Sequence, residues 1–451
     1  MSQRLRTFTG RLLLPFRFRR QLPEAAREIL TRLTDAGHQA VLVGGCVRDL
    51  LLGRRPKDWD IATDLDVEGL RHLFPQGKVM GTDRKGVTLL IPRDGAAYEV
   101  TPFRGPTLAE DLSRRDFTIN AMALLPDGRL YDPMGGTKDL AAGVLRACGD
   151  PGERIREDPL RMLRAVRLAA ELSLSLEPSL AEALRMHAPT LAEVAPERIG
   201  AEFCRLMVTD RPAWGMERLR ETGLLAVFAP ELLEMVGVEQ NQFHAYPVWE
   251  HCLLALALVP PELHLRLAAL LHDVGKPRTV SVDEQGNRHF YRHEQVGAVM
   301  ADELLTRLRV EAKVRERVVR LVRLHMDLHL EEGMGDAAIR RMINRIGLDL
   351  LPDLVQLRRA DRLASGTRQG ELGPDTIYLL RQVERILKED AALKVTDLAV
   401  NGHDVVRVFG RPPGPYVGQV LQRLLEEVLE DPSRNRREWL LMRLEELARQ
   451  W

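Results

Sequence analysis

Ala40-Val41-Leu42-Val43-Gly44-Gly45-Cys46-Val47-Arg48-Asp49-Leu50-Leu51-Leu52, followed closely by Asp58-Trp59-Asp60-Ile61-Ala62, is the stretch that organises the rest of the chain. Ala40 to Val43 reads as a short buried strand, Gly44-Gly45 as a turn, and Asp49 to Leu52 as a helix opening. Glycine lets backbone approach a phosphate, and a helix start directs N–H groups toward it. Arg48 adds a forked donor for phosphate oxygens. Alone, a Gly-Gly turn before a helix is more often an ordinary tight turn. Asp58 and Asp60 change that balance. On an extended segment, residues two apart share a face, so their carboxylates can converge about 6–7 Å apart. Such a like-charged pair is costly unless a cation lies between its members. Hard oxygen ligands suit Mg²⁺, which bridges to substrate phosphates. Two such ions can promote in-line attack of a 3′-hydroxyl on an α-phosphate and stabilise departing pyrophosphate.

Upstream, the spacing of apolar residues predicts a helix from Leu22 to Ala36, stopped at Gly37. Before it, residues 1–22 form a basic arm with arginines at 4, 6, 11, 17, 19 and 20 and no acid in the first twenty positions. Its apolar run Leu12 to Phe16 is too short for a signal-peptide core. A solvated arm and a transit peptide are the two readings. Downstream, Val87 to Ile91 and Tyr98 to Thr101 read as a hairpin around Pro92-Arg93-Asp94-Gly95. After Asp150-Pro151-Gly152, helical patterns run nearly to the C-terminus. The fold class is therefore α+β, a small mixed α/β head followed by a long all-helical body.

The whole chain fits that picture. Its 451 residues leave room for several domains, and 45% hydrophobic with 29% charged residues describes a folded, ordered protein. No run of about 18 apolar residues suggests a membrane span. Four scattered cysteines without a CxxC pair suit a reducing cytosol, so the expected location is cytoplasmic. Acids and bases balance at 65 each, yet only eight of the bases are lysine. The arginines cluster locally at 4–20, 114–115 and 154–167, which points to local rather than global basic surface.

Val43 to Gly53 and Lys57 to Thr63 resemble the signature of the class II tRNA nucleotidyltransferase and bacterial poly(A) polymerase family. Two later blocks match in the same order. Asp111-Leu112-Ser113-Arg114-Arg115-Asp116-Phe117 is similar to the family's ribose-contacting motif, which implies Arg114 as a nucleotide contact with Asp116 beside it. Glu157-Asp158-Pro159-Leu160-Arg161-Met162-Leu163-Arg164 resembles its base-selecting motif. On a helix Arg161, Arg164 and Arg167 share one side, opposite Met162, Leu163, Val166, Ala169 and Ala170. A solvated arginine stripe has the same pattern. Asp158 offers an acceptor for a cytosine or adenine amine, and Arg161 offers donors. The resemblance implies that this pair selects the base, with Arg164 and Arg167 toward the triphosphate or tRNA end. It further implies catalytic metal at Asp58 and Asp60, triphosphate and ribose at Gly45, Arg48 and Arg114, and Glu99 as a candidate third carboxylate.

One departure bears on subtype. Full CCA-adding relatives carry a longer loop before the arginine-rich motif, whereas here only Gly105 to Glu110 separates Arg104 from Asp111. In the family, absence of that loop accompanies addition of two cytidines without the terminal adenosine. The expected function is thus CC addition to the tRNA 3′ end with CTP and Mg²⁺. Full CCA addition, A addition and poly(A) synthesis are the rivals within the family, with ATP as the alternative nucleotide.

Leu270-Leu271-His272-Asp273-Val274-Gly275-Lys276, with His251 upstream and Asp361 downstream, resembles the HD phosphohydrolase superfamily. The resemblance implies a divalent metal at His251, His272, Asp273 and Asp361, with His293 and His325 as ligands of a second ion. The rival reading is a protein that is chiefly an HD phosphohydrolase; the bland one is a purely structural HD fold cradling tRNA. The expected domains are the arm at 1–22, the head at 23–145, and a base-selecting and RNA-binding neck at 146–240. The HD domain at 241–375 and a C-terminal helical region at 376–451 follow. The expected macromolecular partner is tRNA, held at its acceptor end and elbow.

Overall fold

The computed structural model describes residues 22–82, 86–93, 96–328, 335–367, 370–388 and 392–451. The basic arm up to residue 21 and the Asp94-Gly95 turn lie outside the described residues. The chain forms two compact units, Met1–Phe228 and Ala229–Trp451.

The first unit opens with α1 (Glu24–Asp35), whose apolar positions Ala25, Ala26, Ile29, Leu30 and Leu33 are buried. It leads through Gly37, in the left-handed region at φ +86°, to β1 (Ala40–Val43) and α2 (Gly45–Leu51). The helix thus starts at the second glycine, four residues earlier than expected. Then come β2 (Asp60–Thr63), α3 (Val67–Leu73), β3 (Lys78–Thr82), β4 (Gly86–Arg93) and β5 (Ala96–Pro102). After α4 (Leu108–Ser113), the short strands β6 (Ala123–Leu124) and β7 (Leu130–Tyr131) complete a seven-stranded sheet. Its order is β3-β4-β5-β2-β1-β6-β7, with β2 and β5 parallel and the other pairs antiparallel. Central β1 is buried at all four positions, and Val41, Val43 and Ala62 pack with Leu112 and Ala121. The predicted hairpin is the β4–β5 pair.

Beyond α5 (Gly136–Ala142), β8 (Val144–Leu145) pairs in parallel with β9 (Ser175–Leu176), a strand that the helical pattern concealed. Between them lie α6 (Pro151–Glu157) and α7 (Arg161–Leu172). The back of α7 is apolar as expected: Met162, Leu163, Val166, Ala169 and Ala170 are all buried. The helices α8 (Pro178–His187), α9 (Pro196–Met207), α10 (Pro212–Glu221) and α11 (Leu224–Phe228) close the unit, the first three starting on proline, which fits a first helical turn.

The second unit is helical apart from one hairpin. Its elements are α12 (Val248–Leu258), α13 (Leu263–Leu271), α14 (Lys276–Thr279), β10 (Val280–Val282), β11 (Arg288–Phe290), α15 (His293–Arg307) and α16 (Ala312–Leu324). They are followed by α17 (Asp336–Ile346), α18 (Leu351–Ala364), α19 (Pro374–Lys388), α20 (Gly402–Phe409), α21 (Pro415–Glu430) and α22 (Arg437–Gln450). Leu265 to Leu271 on α13 are buried all round, so this helix is the core against which α12, α16 and α18 pack. No helix among the described residues is long and apolar enough to cross a membrane.

Candidate functional site

A pocket of about 660 Å³ in the first unit is lined by Gly44, Gly45 and Asp60 on one side and by Asp158, Arg161 and Arg164 on another. Arg104, Arg114, Arg115, Asp116, Asn120, Glu157 and Arg198 complete it. Its size is that of a small-molecule site. Asp60 is brought there by sheet register: it faces Val43, the residue before the glycine turn, on β1 and Glu99 on β5. Gly44 is at φ +77°, and a Cβ there would stand 3.0 Å from Asp60 Oδ2, so both conformation and space call for glycine.

Asp58 differs from the expectation of a shared strand face. It lies in a bend before β2 and is exposed, while Trp59 between the two acids is buried and anchors the bend. Burial first and Glu99 second push the Asp60 carboxyl up to about 6; Arg115 opposes them and Asp58 adds to them. Three carboxylates therefore act on one locus, and a cation there would relieve the repulsion.

The second difference concerns arginines. Arg48 is buried, and its donors are spent on Asp49 Oδ1 (2.9 and 3.0 Å) and Asn120 Oδ1 (2.7 Å). It ties the glycine turn to the Asn120 segment instead of presenting a free fork. Arg167, expected near the triphosphate, is held by Glu202 (2.6 Å) and Glu171 (2.8 Å). Glu202 is itself 4% exposed, so Arg167 neutralises a buried acid behind the pocket. Arg164 does face the pocket, donating to Asp116 Oδ2 at 3.0 Å. Burial opposes ionisation of Asp116, but Arg164 and Asn120 outweigh it and hold the carboxyl below its usual range.

Asp158 and Arg161 both line the pocket without pairing to each other. Asp158 is gripped by Arg198 (2.9 and 3.3 Å), which together with the charge of Arg198 overcomes burial and lowers its pKa. Arg161 Nη1 donates to the Arg154 carbonyl (2.9 Å) and to Glu157 (2.6 Å). Arg114 donates to the Arg104 carbonyl, and Arg115 grips Asp111 at 3.0 and 3.2 Å. Sequence reasoning did not single out Arg104, Arg115, Asn120 and Arg198 as site residues, although Arg115 stands within the quoted ribose-contacting motif.

The connection from β5 to α4 is short and tied at several points. Phe103 N donates to the Thr63 carbonyl (2.7 Å), Arg104 N to Asp111 Oδ1 (3.1 Å), and Thr107 caps α4 through Glu110 N (3.3 Å).

In the second unit His251, His272, Asp273, Asp361, His293 and His325 converge in one cluster, all buried except Asp361, which is partly exposed. His251 Nε2 lies 3.1 Å from His272 Nε2, 3.2 Å from Asp361 Oδ1 and 3.5 Å from Asp273 Oδ2. Through its other oxygen, Asp273 is 3.3 Å from His293 Nε2 and 3.8 Å from His325 Nε2. The tight approach depends on Gly275, where a Cβ would run into the His293 carbonyl, and on Arg292, held at φ +60° just before His293. Lys276 Nζ donates to Asp273 Oδ2 and to Gln240 Oε1, each at 2.6 Å. Burial would raise the Asp273 carboxyl; His272 and Lys276 overcome it and hold it well below the ordinary range. Burial pushes His325 down to about 3, with His272 adding. His244, which sequence reasoning did not single out, joins His251 and Asp361 in a third possible metal-holding group. Imidazoles grouped around carboxylates are a donor set for a divalent transition ion.

Residues 40–107 and 105–146 match the family described as Poly A polymerase head domain, and residues 173–235 the probable RNA and SrmB-binding site of polymerase A. Residues 244–366 match the HD domain. The CC-adding tRNA nucleotidyltransferase of Thermus thermophilus is 40% identical over 402 residues, covering 86% of this chain and 89% of the relative. The A-adding tRNA nucleotidyltransferase of Deinococcus radiodurans is 38% identical over 405 residues, covering 86% and 91%. Among solved structures, the Bacillus stearothermophilus CCA-adding enzyme in complex with CTP superposes with a TM-score of 0.70 at 29% identity, covering 94% of this chain and 97% of that one.

Proposed function

The chain belongs to the tRNA nucleotidyltransferase family, and from that membership we propose that it adds cytidines from CTP to the 3′ end of tRNA, releasing pyrophosphate. Asp58 and Asp60 would hold Mg²⁺, with Glu99 as the third carboxylate. Such an ion would supply activation of the 3′-hydroxyl and charge neutralisation on the leaving group. Gly45 gives the triphosphate close backbone approach; Arg114, Asp116 and Arg164 orient ribose and phosphate. Asp158 accepts from the cytosine amine and Arg161 donates to a ring acceptor. Arg48 and Arg167 support this set from behind through Asn120 and Glu202.

The observation that carries the CC-adding reading is the short, tied connection between Pro102 and Leu108. Phe103 is hydrogen-bonded to the neighbouring strand β2, and Arg104 and Thr107 to α4, so the connection has little slack with which to rebuild the pocket around ATP. The relative named A-adding favours the second reading, a single adenosine added to a CC end.

The experiment is incorporation of labelled CTP or ATP, separately, into tRNA lacking CCA and tRNA ending in CC. Two cytidines and no adenosine is the expected result. Adenosine added to the CC end overturns the subtype. The tRNA is bound chiefly through phosphate and shape, at acceptor end and elbow. The His/Asp pocket is read as a divalent metal centre at His251, His272, Asp273 and Asp361, with His293 and His325 on a second ion.

A further inference from the structure

Resting on the reading of the second unit's pocket as a metal centre, we propose that it offers two unequal seats for divalent transition ions, and that His244 belongs to the tighter one. Nitrogen and oxygen ligands about 2.0–2.2 Å from one ion stand roughly 3–4 Å from one another. His251, His272, Asp361 and Asp273 Oδ2 meet that spacing, at 3.1–3.8 Å across the contacts that join them. Asp273 Oδ1, His293 and His325 meet it independently, at 3.2–3.8 Å. Asp273 thus gives one oxygen to each seat.

His244 shares a signature with three of these histidines. In His272, His293 and His325, Nδ1 contacts the carbonyl three residues upstream (Ala269, Phe290 and Val322) at 2.7–2.9 Å. Only an N–H makes that contact, so in the neutral ring the lone pair is on Nε2, which is how a protein presents a ligating histidine. His244 is oriented from the same sequence distance but by a side chain: its Nδ1 lies 3.0 Å from the Asn241 amide oxygen Oδ1, three residues upstream. Its ligand atom lies within 4.8 Å of those of His251 and Asp361, and its ring stands edge-on to His251.

The first seat therefore has two carboxylates and three imidazoles, and Asp361 is itself braced by Arg358 at 3.1 Å. The second has one shared carboxylate and two imidazoles, leaving positions for water or a phosphate oxygen. More ligands and more negative charge hold the first ion more tightly. The imidazole majority selects manganese, iron, cobalt or zinc over the Mg²⁺ suited to the head.

The test uses the full chain carrying D58A and D60A, which removes the head's carboxylate pair. After chelator stripping it is titrated with Co²⁺, following bound metal by elemental analysis and coordination by visible absorption. Two ions of separable affinity are expected. H325A should retain one tightly held ion. H244A and H244Q should weaken that ion on the order of 10–100-fold and change its spectrum, with melting temperatures confirming that both variants fold. Two ions whose tighter affinity and spectrum are the same in H244A, H244Q and the parent would overturn this inference and leave the metal centre standing. A folded chain that retains no cobalt would remove the metal centre itself.

Discussion

At the pocket of the first unit the candidate metal-facing groups are carboxylates on and beside two interior strands of a sheet, with Asp58 exposed in a bend and Asp60 repelled by Glu99. In the second unit they are mostly imidazoles, sealed where five helical elements meet, and His251 and His272 have no exposed surface. The difference is one of residence. On the proposed reading, an oxygen-only site with open access would take a hydrated Mg²⁺ together with the nucleotide and release both. A buried, nitrogen-rich cluster with oriented donors would keep its ion. In one chain, the same kind of atom is arranged for exchange at one end and for retention at the other.

The largest expected effect breaks the two apart. D58A or D60A should lower cytidine transfer by at least about 10²–10³-fold, while metal held by the His/Asp pocket stays the same by elemental analysis; equal loss at both sites would mean they are not independent. Next comes R167A. Removing it takes from buried Glu202 its closest partner, leaving Arg205 at 3.5 Å and Arg164 at 3.9 Å, and should cost about 1–3 kcal/mol of stability in denaturant unfolding with little change in KM for CTP. A raised KM with unchanged stability would return Arg167 to the nucleotide.

The third concerns Asp60 itself, whose pKa stands near 6 against an ordinary value near 4. The folded, metal-free protein binds a proton between pH 4 and 6 that the unfolded chain releases. The stabilising contribution is full below about 4 and is lost as pH rises through 6. At neutral pH, D60N should therefore stabilise the metal-free protein by roughly 1–3 kcal/mol while abolishing transfer. At limiting Mg²⁺, wild-type transfer should fall as pH drops below 6, because proton and cation compete for one carboxylate. The smallest effect is R198A, which frees Asp158: the ratio of kcat/KM for CTP over ATP should shift about tenfold, or about 1.4 kcal/mol, with stability nearly unchanged.

These sites were legible in the sequence to different depths. Asp58 and Asp60 stood out because two acids two residues apart after a Gly-Gly turn are costly without a purpose. The apolar back of α7 was legible because helical periodicity is local. Asp58's bend was not: Trp59 leaves the strand to bury its ring, and that choice is made by tertiary packing. Nor was the division of labour in the arginine stripe. Arg164 and Arg167 look alike on a helical face, but their partners, Asp116 and Glu202, come from 48 residues upstream and 35 downstream. His244 escaped for the same reason, since it precedes its helix and meets Asp361 only through the fold.

The paired arginines of the nucleotide pocket have a consequence for binding in salt. Arg115, Arg161, Arg164 and Arg198 each already hold a carboxylate of this chain, respectively Asp111, Glu157, Asp116 and Asp158. A polyphosphate that binds bare arginines frees a cloud of condensed small ions, which makes affinity fall steeply as salt rises. Here tethered acids stand in place of mobile ions, and an incoming phosphate would trade places with a side chain that cannot diffuse away. Nucleotide affinity should therefore depend on ionic strength far less than six lining arginines would imply.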